Sequence, residues 1–169
     1  AQYAETKPSD AEAREAMRSI FSCLAELHRS GLVLASHSPH HWMRYRGEWK
    51  CCAPTVLRPV GHHHKLPPAP AGRNRDALWR YIAPEAAQSL LSAGTNVGGS
   101  GVSLALLCPM DVWAVSLLSL ELVTRTSITA TALETTPFAV YLKWLSEQSG
   151  PLPLPTAAAA AWGTPLQSP

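Results

Sequence analysis

Asp111-Val112-Trp113-Ala114-Val115-Ser116-Leu117-Leu118-Ser119-Leu120-Glu121-Leu122-Val123-Thr124 is the stretch whose reading decides the architecture. Wound as a helix, it is apolar on nearly every side, broken only by Asp111, Ser116, Ser119 and Glu121. A helix apolar all round lies inside a protein, so the rest of the chain is expected to wrap around this one. The run 112–123 is too short to span a bilayer, and no membrane span is expected.

Working outward, residues 9–29 predict the clearest helix. Pro8 precedes it, and Ser9 with Glu12 has the spacing of a capping box. Met17, Ile20, Phe21, Leu24 and Leu27 recur at helical spacing and form one apolar stripe. Gly31 follows as the C-terminal stop, and residues 32–34 read as a short buried extended piece. Residues 42–45 and 49–52, with Arg46-Gly47-Glu48 as a turn between them, predict a small hairpin. Residues 53–76 carry no periodicity and read as a long irregular segment, rich in Pro, His and Gly. A short helix is expected after Ala83-Pro84-Glu85 through Leu91, and another over residues 139–148. Residues 92–101 are Gly/Ser-rich. Beyond Gly150 the chain turns Pro/Ala-rich, reading as an extended tail whose alanine run 157–161 suits a helical turn. The organisation expected is an N-terminal extension (1–8), one domain (9–150) and a tail (151–169).

The bulk numbers narrow the function classes. The chain of 169 residues is enough for one domain and one modest core. A formal net charge of +2 argues against a dedicated nucleic-acid binder, which usually carries a basic face. Charged residues make up 15 %, against about 25 % in an average soluble domain. Two readings of that shortfall stand side by side: surface covered by partners or by other parts of a longer chain, or plain Ala/Pro bias. The four cysteines, Cys23, Cys51, Cys52 and Cys108, form no disulfide framework. Reduced thiols in a reducing intracellular compartment, cytoplasmic or other, are the default expectation. No cysteine is singled out as a nucleophile by a nearby base and orienting group.

The order of these elements resembles the C-terminal lobe of protein kinases, from helix E to about helix G, over roughly residues 10–155. Leu24-Ala25-Glu26-Leu27-His28-Arg29-Ser30-Gly31-Leu32-Val33 is similar to the end of helix E. Gly47-Glu48-Trp49-Lys50 resembles the hairpin before the magnesium-binding turn. Trp79-Arg80-Tyr81-Ile82-Ala83-Pro84-Glu85 looks like the close of the activation segment. Asp111-Val112-Trp113-Ala114, with Leu117-Leu118-Ser119-Leu120-Glu121-Leu122, looks like the buried helix F. Thr136-Pro137-Phe138 and residues 141–155 resemble the helix G region. The fold implied is mainly α: a kinase C-lobe-like helical domain with a small β-hairpin and long irregular loops. No small lobe is recognisable, neither a Gly-rich phosphate loop nor a strand bearing its phosphate-pairing Lys.

The resemblance also implies lost chemistry. In active kinases the catalytic-loop Asp accepts the substrate proton, and an Asn helps hold magnesium. Aligning Gly31-Leu32-Val33 puts Leu34, Ala35 and Ser36 at His-Arg-Asp. Ser38 falls at the loop Lys and His41 at the Asn. Ala53, Pro54 and Thr55 fall at Asp-Phe-Gly. A serine hydroxyl is too weak a base near neutral pH to replace a carboxylate, and magnesium wants hard oxygen ligands. No phosphoryl transfer and no cofactor are therefore expected. By the same resemblance, Asp111 is expected to cap the catalytic-loop backbone from beneath. Read without the family, it is a helix N-cap. Trp113 is expected in the core, and Ala83, Pro84 and Glu85 close the activation segment. The family pairs such a Glu with an Arg in a later helix, so here Glu85 either takes a local Arg or faces a partner.

Two further features were weighed. His37, His40 and His41, with His62, His63 and His64, raise the question of zinc, which needs about four ligands converging at set distances. Consecutive histidines point in different directions, so these read as polar loops able to take up metal adventitiously. Trp162, in the weakly structured tail, reads as an aromatic anchor on a partner surface. The functional expectation is a non-catalytic, pseudokinase-like scaffold whose exposed apolar upper surface is covered by a protein partner. Two alternatives remain: a nucleotide-binding regulator or residual kinase completed by a small lobe elsewhere, and a permanent structural subunit of a large assembly.

Overall fold

A computed structural model of the chain describes residues 9–66, 77–93, 102–124 and 127–148. Helix α1, Asp10–Arg29, opens on the capping box: the Ser9 side chain accepts the Glu12 N–H, and Glu12 accepts the Ser9 N–H. The helix ends where Gly31 takes φ +71, a left-handed backbone that costs glycine little. The stripe seen in the sequence is the buried face, with Ala13, Ala16, Ile20 and Leu24 inside.

Strand β1, Leu32–Leu34, follows, then a 3₁₀ turn Pro39–His41 and the expected hairpin, β2 Trp42–Tyr45 against β3 Glu48–Cys51. Arg46 and Gly47 both have positive φ, 51 and 86, which makes a two-residue turn whose twist matches the flanking strands.

The segment expected to be irregular contains two strands. A 3₁₀ turn Pro54–Val56 leads into β4, Leu57–Pro59, which pairs antiparallel with β1, Leu34 opposite Leu57. Strand β5, His63–Lys65, pairs with β6, Ser103–Ala105. Strands of three residues are too short to display an alternation, which is why the sequence concealed them. The β structure is thus three antiparallel pairs among the described residues rather than the single hairpin expected. The remainder is helical: α2 Ala77–Arg80, α3 Pro84–Ser92, α4 Cys108–Thr124, α5 Ile128–Thr135 and α6 Phe138–Ser146. Helix α5 was not expected; its mixed Thr/Ala composition carries little helical periodicity. Residues 67–76, 94–101 and 149–169, which include the Pro/Ala tail and Trp162, lie outside the described residues.

Helix α4 joins two halves of the core. On one side Val115 packs with Ile20 and Leu24 of α1, Leu34 of β1 and Trp42 of β2. On the other, Ala114 and Leu117 pack with Tyr81. A larger cluster beyond gathers Trp79, Ala87 and Leu90 with Leu133, Tyr141 and Leu145, α3 lying against α6. Burying one such leucine contributes roughly 2 kcal/mol. Phe138 meets the Trp79 ring edge-on, centroids 4.9 Å apart.

Two expectations for α4 need correction. It begins at Cys108, three residues before Asp111. Nor is it enclosed all round: Asp111, Ala114, Val115, Leu117 and Ser119 are buried, but Val112 is 45 % exposed and Ser116 also faces out. An apolar side chain records no direction in sequence; no described element covers that one. No helix of the described residues is long and apolar enough to cross a membrane.

Candidate functional site

Asp111 is the centre of a buried polar cluster that ties α1, β1 and α4 together. It is fully buried, at 0 % exposure, in the first turn of α4. A carboxylate taken out of water is tolerated only when donors surround it. Three do. The Leu34 backbone N–H is shared between both oxygens, at 3.3 Å to Oδ1 and 3.1 Å to Oδ2. His37 Nε2 stands 2.8 Å from Oδ1, and His28 Nε2 stands 3.0 Å from Oδ2. Facing a carboxylate, both ring nitrogens are donors. Position 111 thus anchors the end of α1, the start of the following loop and the last residue of β1 to one atom pair.

The positions aligned with the catalytic loop begin at Leu34, the residue whose backbone this anchor holds. Leu34 and Ala35 are buried, and the Ala35 N–H donates to the Val56 carbonyl at 2.8 Å. Ser36 is half-buried. The Ser38 side chain accepts from the His40 N–H and caps the 3₁₀ turn, with Pro39 at its first position. The His41 N–H donates back to the Ser38 carbonyl, and the His41 carbonyl accepts the Cys52 N–H at 2.8 Å. Burial holds the His41 imidazole below its usual pKa, reinforced by the neighbouring His37. Its Nδ1 is buried with no hydrogen-bond partner. Opposite, Ala53 precedes the 3₁₀ turn Pro54–Val56, with Pro54 and Thr55 exposed. No group of three or more His, Cys, Asp or Glu among the described residues is placed to hold a metal ion.

The histidines separate into different roles. His37, weighed with His40 and His41 as a metal-ligand candidate, spends its Nε2 on Asp111, while His40 is exposed. His62 and His63 are exposed; His64 is half-buried in β5 and held below its usual pKa by burial. His28 and His37 are the cluster members that sequence reasoning missed as partners of Asp111. The available signal was indirect: a carboxylate in an apolar helix requires donors.

Ala83 is buried at the N-cap of α3, and Pro84 occupies the first turn. Glu85 follows, exposed, and takes no ion-pair partner among the described residues. Trp113, expected in the core, is half-buried and packs against the edge of two core clusters. With Pro84, Glu85, Val112 and Ser116 it lines an open cleft of about 460 Å³ between α3 and α4. Nearby, the Tyr81 hydroxyl donates to Glu121 Oε2 at 2.6 Å, and burial with this bond pushes its pKa well up.

No family model matches the chain, and no curated protein matches it.

Proposed function

We propose that this chain is a non-catalytic, kinase C-lobe-like domain that serves as a protein-binding scaffold. The observation that carries this reading is the Asp111 anchor. Its carboxylate grips the backbone N–H of Leu34, the position that aligns with the first residue of the kinase catalytic loop. The order of elements supports it: a long helix, a short strand, a 3₁₀ loop, a hairpin, a Pro-led helix and then an anchoring helix. At the aligned positions, Ser36, His41 and Ala53 supply no carboxylate where the base and the metal ligands would stand. Asp111 itself is fully buried and committed to its three donors, so it is no substitute base.

A binding role draws support from the hairpin. Met43 and Tyr45, on one face of β2, are 54 % and 55 % exposed. Large apolar side chains presented together on one face of a ribbon suit a protein partner better than water. The test is twofold. Melting curves with and without Mg–ATP should superimpose, because a ligand that does not bind adds no stability. A partner recovered with the wild-type chain should be lost with Met43→Asp/Tyr45→Asp. A rise in melting temperature with Mg–ATP would favour a nucleotide-binding regulator instead.

A further inference from the structure

The contact between α1 and the hairpin holds two of the four thiols in register. Ser19 meets Trp49 through both backbone groups: its hydroxyl accepts the Trp49 N–H at 2.8 Å and donates to the Trp49 carbonyl at 3.3 Å. One turn earlier, Glu15 pairs with Arg44, the strand partner of Trp49. Arg44 also donates to the Gly47 carbonyl in the turn at 3.3 Å, so Glu15 sits toward the turn and Ser19 farther from it. Helix and strand therefore advance in the same sense, and α1 packs along β3. Four residues of helix advance about 6 Å, and two residues of strand about 6.7 Å. Stepping on from the Ser19–Trp49 contact by these increments brings Cys23 opposite Cys51. Both are free, both are half-buried, and both pack against the cluster of Ile20, Leu24 and Trp42.

We propose that Cys23 and Cys51 form a reversible disulfide that staples α1 to the β2–β3 hairpin. The oxidant class is a small-molecule disulfide such as glutathione disulfide. The Cys23 thiolate attacks one of its sulfurs, forming a mixed disulfide and releasing one glutathione thiol. The Cys51 thiolate then attacks the Cys23 sulfur of that mixed disulfide and releases the second glutathione. Two protein thiols lose two electrons and two protons, and glutathione disulfide takes them up. Burial pushes the Cys51 thiol up, which suits it to the second, intramolecular step. There, proximity compensates for a small thiolate fraction. The staple fixes the hairpin that carries Met43 and Tyr45, so it acts on the surface proposed to bind a partner. It does not depend on that proposal.

The experiment equilibrates the folded chain with graded glutathione disulfide and glutathione, traps free thiols by alkylation, and maps the monomer fraction by tryptic peptide mass. Cys23 lies on the peptide 19–29, and Cys51 with Cys52 on 51–65, since Pro59 blocks cleavage after Arg58. In the variant Cys52→Ser, any link between these peptides joins Cys23 to Cys51. The expected result is that link in both wild type and Cys52→Ser, with a melting temperature raised by roughly 5 °C on oxidation. Glutathione held on Cys52 alone, a vicinal Cys51–Cys52 bridge, or no link in Cys52→Ser would overturn the proposal.

Discussion

Replacing Asp111 by alanine should bring the fold close to its limit. The carboxylate satisfies the Leu34 N–H, His28 and His37. Leu34 and His37 are buried, at 3 % and 7 % exposure, so their donors cannot turn to water. The side chain of His28 is 18 % exposed and can rehydrate. Two buried donors left unsatisfied cost about 1–3 kcal/mol each, and the emptied site adds a smaller cavity penalty. The sum is about 4 kcal/mol, a large part of a typical domain's 5–15 kcal/mol. Asp111→Asn keeps the volume and one acceptor oxygen but sets an NH₂ group against a histidine donor. Moving the His37 proton to Nδ1 gives no relief, because that nitrogen is buried without a partner. About 2 kcal/mol is expected for the amide. Urea unfolding followed by tryptophan fluorescence measures both. An Asp111→Ala variant within about 1 kcal/mol of wild type would refute the view that this carboxylate holds helix, strand and loop together.

Other predictions concern the surroundings. Tyr141→Phe removes the hydroxyl that donates to the Trp79 carbonyl at 2.9 Å while keeping the ring, and should cost about 1 kcal/mol in the same unfolding assay. Gly31→Ala should cost about 1 kcal/mol through its φ of +71 alone, since no atom crowds an added Cβ there. His41 and His64 are both held below their usual value of 6.5 by burial, so the unfolded chain takes up their protons first. Their contribution is present above pH 6.5 and is lost as the pH falls from there toward the lowered folded values. A denaturation midpoint measured in steps from neutral to mildly acidic pH should decline, and His41→Gln/His64→Gln should flatten that decline. Tyr81 acts at the other end: its folded pKa is raised above 10, so its contribution is present below pH 10 and lost as the pH rises past it. Tyr81→Phe should reduce the alkaline loss.

What the sequence determined by itself was local. The capping box at Ser9, the stop at Gly31, the Arg46-Gly47 turn and the Pro84-led helix depend on interactions within a few residues, and short-range chemistry writes them plainly. The burial of Asp111 was implied by the family resemblance; the residues alone left it a helix N-cap. Tertiary structure decided the rest. Leu34, His28 and His37 reach Asp111 across 77, 83 and 74 residues of chain, and no local pattern encodes which donors will arrive. The β1–β4 and β5–β6 pairs join strands of three residues, too brief for alternation and held by partners distant in sequence. The open face of α4 at Val112 and Ser116 likewise depends on what the remaining elements leave uncovered. Hydropathy gives each residue's preference for burial, but only packing determines which of those preferences are met.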